Sequence, residues 1–165
     1  MNGIYDWERI EGIMMETKDS LFNFIYRMTF EKEVAQDIFQ ETWLKVIKNI
    51  ERYNPEIPLK IWLFQIAKNL CKDYARRLKA RRKSLELIRN EEIVKGEKFL
   101  PQEEERLRAC LSKLPVKYRE VIHLRFFEEL EYEEIGKILN IPSGTVKSRV
   151  NRGLERLKKI WRERK

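Results

Sequence analysis

The segment Tyr132-Glu-Glu-Ile-Gly136-Lys-Ile-Leu-Asn140-Ile-Pro142-Ser-Gly-Thr-Val146 constrains this chain more than any other. Two short helices that cross closely need a small residue where their backbones meet, and Gly136 supplies it. The turn between them needs a residue that accepts left-handed geometry, and Asn140 is the commonest non-glycine choice. Pro142 is read as the stop of the first helix, and Ser143 or Thr145 as the hydroxyl cap of the second. On that second helix Val146, Val150, Leu154, Leu157 and Trp161 advance by four, four, three and four, so they form one inward stripe. At 100° per residue, Ser148, Arg152, Glu155 and Lys159 then point away from it. Lys147 and Asn151 lie on one flank, Arg149 and Arg156 on the other. The pattern is a helix-turn-helix with a polar, basic outer face, chemistry suited to base edges and phosphates in a major groove.

Charge distribution supports a polyanionic partner. The 165 residues carry a formal net charge of +8. Residues 60–83 hold nine Lys or Arg against Asp73 alone, and residues 145–165 hold nine against Glu155 and Glu163. Two separate positive surfaces are implied. Between them, residues 84–105 carry seven Glu against Arg89, Lys95 and Lys98, a locally acidic stretch.

The rest of the chain reads as helix. Ile4, Trp7, Ile10, Met14, Leu21, Phe22, Ile25 and Met28 recur at helical spacing and are expected to pack. A second helix is expected from about Val34 to Ile50, with Ile38, Trp43, Leu44 and Ile47 inward and Asp37, Gln40, Glu41 and Lys45 outward. Asn54-Pro55 and Ile57-Pro58 break the pattern. From Lys60 a long helix carries Trp62, Leu63, Ile66, Leu70 and Tyr74 along one side and ends in a basic run through Lys83. Leu114-Pro115 marks another helix start. With six glycines and five prolines there are too few turn residues for an all-β fold. The fold class expected is all-α: two small helical domains, 1–83 and 103–165, joined by an acidic linker over 84–102.

Several function classes find no support. Cys71 and Cys110 stand far apart, and His123 is the one histidine, so neither a disulfide framework nor a zinc site is suggested. No phosphate-binding glycine loop occurs, and adjacent acids such as Glu133 and Glu134 point about 100° apart on a helix. No catalytic residue, metal or cofactor is expected. No apolar run approaches a membrane span and the N-terminus shows no signal pattern, so the cytoplasm is the expected location. A ligand-responsive repressor would need a sensor pocket or dimer face, whereas the N-terminal half here ends in a second basic helix.

The same residues carry a family resemblance. Leu114-Pro-Val-Lys-Tyr-Arg-Glu-Val-Ile-His-Leu-Arg-Phe-Phe-Glu128, followed by the helix-turn-helix and Lys147-Ser-Arg149, resembles region 4 of the extracytoplasmic-function sigma factors of bacterial RNA polymerase. Ala35-Gln-Asp-Ile-Phe-Gln-Glu-Thr-Trp-Leu-Lys45 and Trp62-Leu-Phe-Gln-Ile-Ala-Lys-Asn-Leu70 resemble region 2. The resemblance covers about three quarters of the chain. It implies that Asp37, Gln40 and Glu41 meet the clamp helices of the polymerase largest subunit. It further implies that Asn69, Asp73 and Arg76, with the loop at Tyr53 and Asn54, meet the minus-ten promoter element. Lys147, Ser148, Arg149, Asn151 and Arg152 are carried over to the minus-thirty-five element. Leu59-Lys60-Ile61 and Asn151 depart from the usual family pattern and point to a different base preference. The partners implied are polymerase core, including the flap of its second-largest subunit, promoter DNA, and an anti-sigma protein.

Overall fold

Proline and left-handed residues divide the chain into its helices. The computed structural model describes residues 7–85 and 102–163, and these form α1 (Trp7–Thr29), α2 (Lys32–Asn49), a 3-10 turn (Ile50–Arg52), α3 (Leu59–Leu85), α4 (Gln102–Lys113), α5 (Val116–Phe126), α6 (Tyr132–Leu139) and α7 (Ser143–Glu163). The Pro115 carbonyl accepts from the N–H groups of Tyr118 and Arg119 and so opens α5. Pro58 does the same for α3 through Trp62 N–H. Most of the acidic linker anticipated over 84–102 lies outside the described residues.

The helix-turn-helix is built as the spacing predicts, with one change. Asn140 (φ 55°) ends α6, and a Cβ on Gly136 would stand 2.7 Å from the Ile141 carbonyl oxygen. Pro142 does not stop α6. Its carbonyl accepts from Thr145 and Val146 N–H, so it leads into α7, and Ser143 and Thr145 already lie inside that helix. A capping box at the start of α6 pairs Glu131 with Glu134.

Packing corrects two sequence expectations. Leu44 (57% exposed) and Ile47 (45%) face outward on α2, whereas Ala35, Ile38, Thr42, Trp43 and Val46 face the core. Trp7 is also outward, while Ile10, Leu21 and Ile25 of α1 are buried. Phe24 and Phe64 meet at 5.4 Å between α1 and α3. In the C-terminal half, α7 lies so close to α5 that a Cβ on Gly153 would approach the Ile122 side chain to 2.9 Å.

The two halves share one apolar core. Leu21, Phe24 and Phe64 belong to the same buried cluster as Val121, Leu124 and Ile135. Phe30 takes left-handed geometry (φ 57°), a conformation that costs a bulky residue about 1–2 kcal/mol. Its ring is buried among Leu111, Leu114, Tyr118 and Ile122 of the other half, and burial of that size returns about 1.5–3 kcal/mol. Contact with the second half therefore offsets the strain that ends α1.

The glycines separate fold from propensity. Gly136→Ala should destabilise the protein by about 1–3 kcal/mol, because the clash is with backbone that cannot swing aside. Gly144→Ala, with nothing within 4 Å, should leave stability unchanged or raise it by up to about 1 kcal/mol. Urea denaturation of both variants measures the contrast.

Candidate polymerase and nucleic-acid interfaces

On α2 the solvent face is one continuous strip. At 100° per residue, Asp37, Gln40, Glu41, Leu44, Ile47 and Lys48 fall within an arc of roughly 120°, and all six are exposed. Leu44 lies near the middle of that arc. The acids Asp37 and Glu41 thus border Leu44 on one side with Ile47 on the other, and Lys45 pairs with Glu41 at 3.7 Å on the edge. Sequence reading found the polar residues and missed Leu44 and Ile47. Their signal was the spacing to Asp37 and Gln40, which leucine and isoleucine hide by counting as core types.

The face of α3 turned from the core carries Asn69, Lys72, Asp73 and Arg76, and half-buried Trp62 at the start of that face packs against the edge of the core. Asn69 and Arg76 are exposed, Asp73 is half-buried, and Arg76 pairs with Asp73 at 2.9 Å. Lys68 donates to the Asn69 side-chain oxygen at 3.2 Å. In the preceding loop the ring of Tyr53 packs on Trp62 at 5.0 Å, and its hydroxyl donates to the Ile57 carbonyl. Burial pushes the Tyr53 hydroxyl pKa up, so it stays a donor. Asn54 accepts from Glu56 N–H at 3.0 Å and closes the turn. Trp62 and Tyr53 together give an aromatic wall beside an exposed polar helix.

On α7 the buried Val146, Val150 and Gly153 fix which side faces outward. Lys147, Asn151 and Arg152 are exposed. Ser148 is half-buried and donates to the Thr145 carbonyl at 3.0 Å. Arg149 is partly withdrawn and pairs with Glu120 of α5 at 3.8 Å. Burial raises the Glu120 pKa, opposed by the charges of Lys68, Arg149, Lys72 and Arg119. Among the described residues no group of acids, histidines or cysteines is arranged to hold a metal ion. No described helix is long and apolar enough to cross a membrane.

Comparison with known proteins decides the family. Residues 13–82 match the model of sigma-70 region 2, and residues 104–157 match sigma-70 region 4. The chain is 35% identical to the ECF RNA polymerase sigma factor SigW of Bacillus subtilis, over 96% of this chain and 91% of that protein. It is 32% identical to SigM of the same organism, over 92% of this chain and 94% of that one. The chain belongs to the extracytoplasmic-function sigma factors. It is therefore a polymerase-binding, promoter-recognising initiation subunit. The fold agrees: the sigma factor RpoE of Bartonella quintana, solved in complex with the anti-sigma factor NepR, superposes with a TM-score of 0.82, 22% identity and coverage of 94% of this chain and 98% of that one.

One cluster of this sigma factor was not foreseen from sequence. His123 is 1% exposed and stands between the two halves of the molecule. Arg27 of α1 approaches its Nδ1 at 3.2 Å, and Glu128 lies 3.1 Å from its Nε2. Glu128 also receives the Ser20 hydroxyl and faces Lys60 of α3 at 3.7 Å. Burial holds the His123 pKa below its ordinary 6.5, and the nearby Arg27 charge acts in the same direction against the pull of Glu128. Burial would raise the Glu128 pKa, but hydrogen bonds from His123 and Ser20 and the charge of Lys60 bring it below the usual carboxylate value. Neutral His123 with its proton on Nε2 satisfies both neighbours: Arg27 donates to Nδ1, and Nε2–H donates to ionised Glu128. Protonation at Nδ1 would place a hydrogen against the Arg27 guanidinium. A single histidine without a metal-ligand pattern gave no sequence signal for this role.

The shift fixes a pH dependence. Above about pH 6.5 His123 is neutral folded and unfolded, so it contributes no pH slope. As pH falls below that value the unfolded chain takes up the proton first, and the folded protein loses stability. The depressed Glu128 pKa adds stability that disappears only at more acid pH. Stability in urea should therefore fall from pH 7 to about pH 5, and His123→Gln should flatten that part of the profile. An equal slope in His123→Gln would assign the dependence to other groups.

Proposed function

We propose that the two halves divide the work of initiation. Residues 1–83 bind core and the minus-ten element, 84–102 form a linker, and 103–165 read the minus-thirty-five element. The carrying observation is that the α2 strip and the outer face of α7 are both exposed although each belongs to a well-packed helix. The α2 strip, Asp37, Gln40 and Glu41 around Leu44 and Ile47, suits the polymerase clamp, with an apolar centre for affinity and acids for register. Region 4 in turn meets the flap of the second-largest subunit.

Strand opening in this scheme needs no catalytic group. Unstacking costs a few kcal/mol per flipped base, and capture on an aromatic platform or pocket returns about 1–3 kcal/mol. Tyr53 and Trp62 provide the platform, Asn54 the rim, and Asn69, Asp73 and Arg76 the polar contacts along α3. The protein is accordingly not an enzyme and works in the cytoplasm beside polymerase. An anti-sigma partner is a further part of this reading, supported by the fold shared with the NepR-bound sigma factor.

Two experiments test these assignments. Reversing charge at Asp37 and Glu41 should weaken core binding in a pull-down titration without loss of helical content, and Leu44→Ala should weaken it further. Unchanged affinity in all three would remove α2 from the core interface. On α7, Arg152→Ala should cost about 1–3 kcal/mol and relax preference at one base position, since a guanidinium can pair with a guanine edge. Lys147→Ala should weaken all sequences alike and lower the salt slope by about one unit. Titrations of promoter variants with the assembled holoenzyme at several salt concentrations measure both. A uniform loss for Arg152→Ala would reverse the assigned roles.

A further inference from the structure

The two flanks of α7 differ in what holds their polar side chains. On one flank Lys147 and Asn151 are exposed, and Arg152 is exposed near the middle of the outer face. On the other flank both arginines lie against α5. Arg149 pairs with Glu120 at 3.8 Å, and the guanidinium of Arg156 lies 5.1 Å from the centre of the Tyr118 ring. The spacing of the two helices is fixed there, because a Cβ on Gly153 would stand 3.2 Å from the Tyr118 side chain and 2.9 Å from that of Ile122. The Glu120 side chain is 15% exposed and that of Arg149 28%. A carboxylate so far from water is costly to keep charged unless cations hold it, and Arg149 and Arg119, two of those that act on it, belong to region 4 itself. The pair is therefore internal to region 4.

We propose that Glu120 is a positioning residue for promoter discrimination: by holding Arg149 against α5 it keeps that guanidinium off the base edges, so that sequence is read by the other side chains of the α7 face. The proposal rests on the minus-thirty-five reading assigned to α7 above. Arg149 stands beside Ser148 and one turn before Arg152, within reach of the same groove. A free guanidinium there would pair with whatever guanine edge or phosphate it met, since it is always charged and carries donors on every edge. Such a contact rewards wrong sequences as well as right ones, because phosphate contacts carry no sequence information of their own. Held by Glu120, the same group has a fixed direction along the α5 flank and its charge is answered locally. Arg149 is then left to the DNA backbone, and base preference rests on Ser148, Asn151 and Arg152.

Titration of holoenzyme, assembled from core polymerase and the full chain, tests the assignment on two duplexes: a promoter selected by that holoenzyme, and the same DNA with its minus-thirty-five element scrambled. Glu120→Gln keeps the size of the side chain and removes its charge. It should lower the affinity ratio between the two duplexes by roughly three- to tenfold, chiefly by tightening the scrambled one, and steepen the salt dependence by about one unit. Arg149→Ala should weaken both duplexes alike, and Glu120→Gln added to Arg149→Ala should leave the ratio where Arg149→Ala alone puts it. A carboxylate that served packing alone would give another pattern. Glu120→Asp, which keeps the charge and loses a methylene, would then lower the ratio more than Glu120→Gln does, whereas a charge that holds Arg149 requires it to lower the ratio less. An unchanged ratio in Glu120→Gln, an equal fall in the Arg149→Ala background, or the larger fall in Glu120→Asp overturns the proposal. Equal binding of both duplexes by the holoenzyme with the unmodified chain would instead overturn the minus-thirty-five assignment on which it rests.

Discussion

The burial of Val121 and Leu124 of α5 against Leu21 and Phe24 of α1 is the contact on which the arrangement of the rest depends. It brings together two helices whose polar neighbours would otherwise face water, and it sets the dielectric in which those neighbours interact. Once α5 is seated there, His123 must accept from one side and donate on the other. Arg27 and Glu128 meet that need. Leaving any one of the three unpaired would strand a buried polar group at a cost of about 1–3 kcal/mol, so the cluster discriminates against misaligned packing even if its net stabilisation is small.

Electrostatics alone would drive the halves apart. Each carries a basic surface, yet in the packed molecule Glu120 lies under the influence of Lys68 and Lys72 on α3 and of Arg149 on α7. One partly buried carboxylate thus moderates the charge of both basic helices. Salt screens such interactions over about 8–10 Å, so the electrostatic part of the packing between the halves should depend on ionic strength.

Periodic features were legible in the sequence, and reciprocal ones were not. The α6–α7 turn could be read because Gly136 and Asn140 answer local backbone demands that do not depend on the rest of the fold. The stripe from Val146 to Trp161 could be read because a helix repeats every 3.6 residues. Leu44 and Ile47 were misplaced because residue type was allowed to outweigh angle: both stand on the Asp37 side of α2, opposite Ala35 and Val46. Pro142 was misplaced because proline ends one helix and begins another with equal ease. Arg27 lies 96 positions before His123 in the sequence, and nothing local announces a partner that the fold must bring. The roles of the α2, α3 and α7 side chains came from family resemblance, and the geometry adds which of them are exposed.

Two modest DNA-reading modules on one chain gain affinity only when something fixes their separation. With a free linker the second contact is diluted by the volume the first module's partner can explore, and the gain in effective concentration is lost if the geometry forbids simultaneous engagement. Polymerase then acts as more than a tether. If it holds α2 on one surface and region 4 on another, as proposed above, it fixes the separation at which both modules reach DNA and so raises the effective concentration of the second contact.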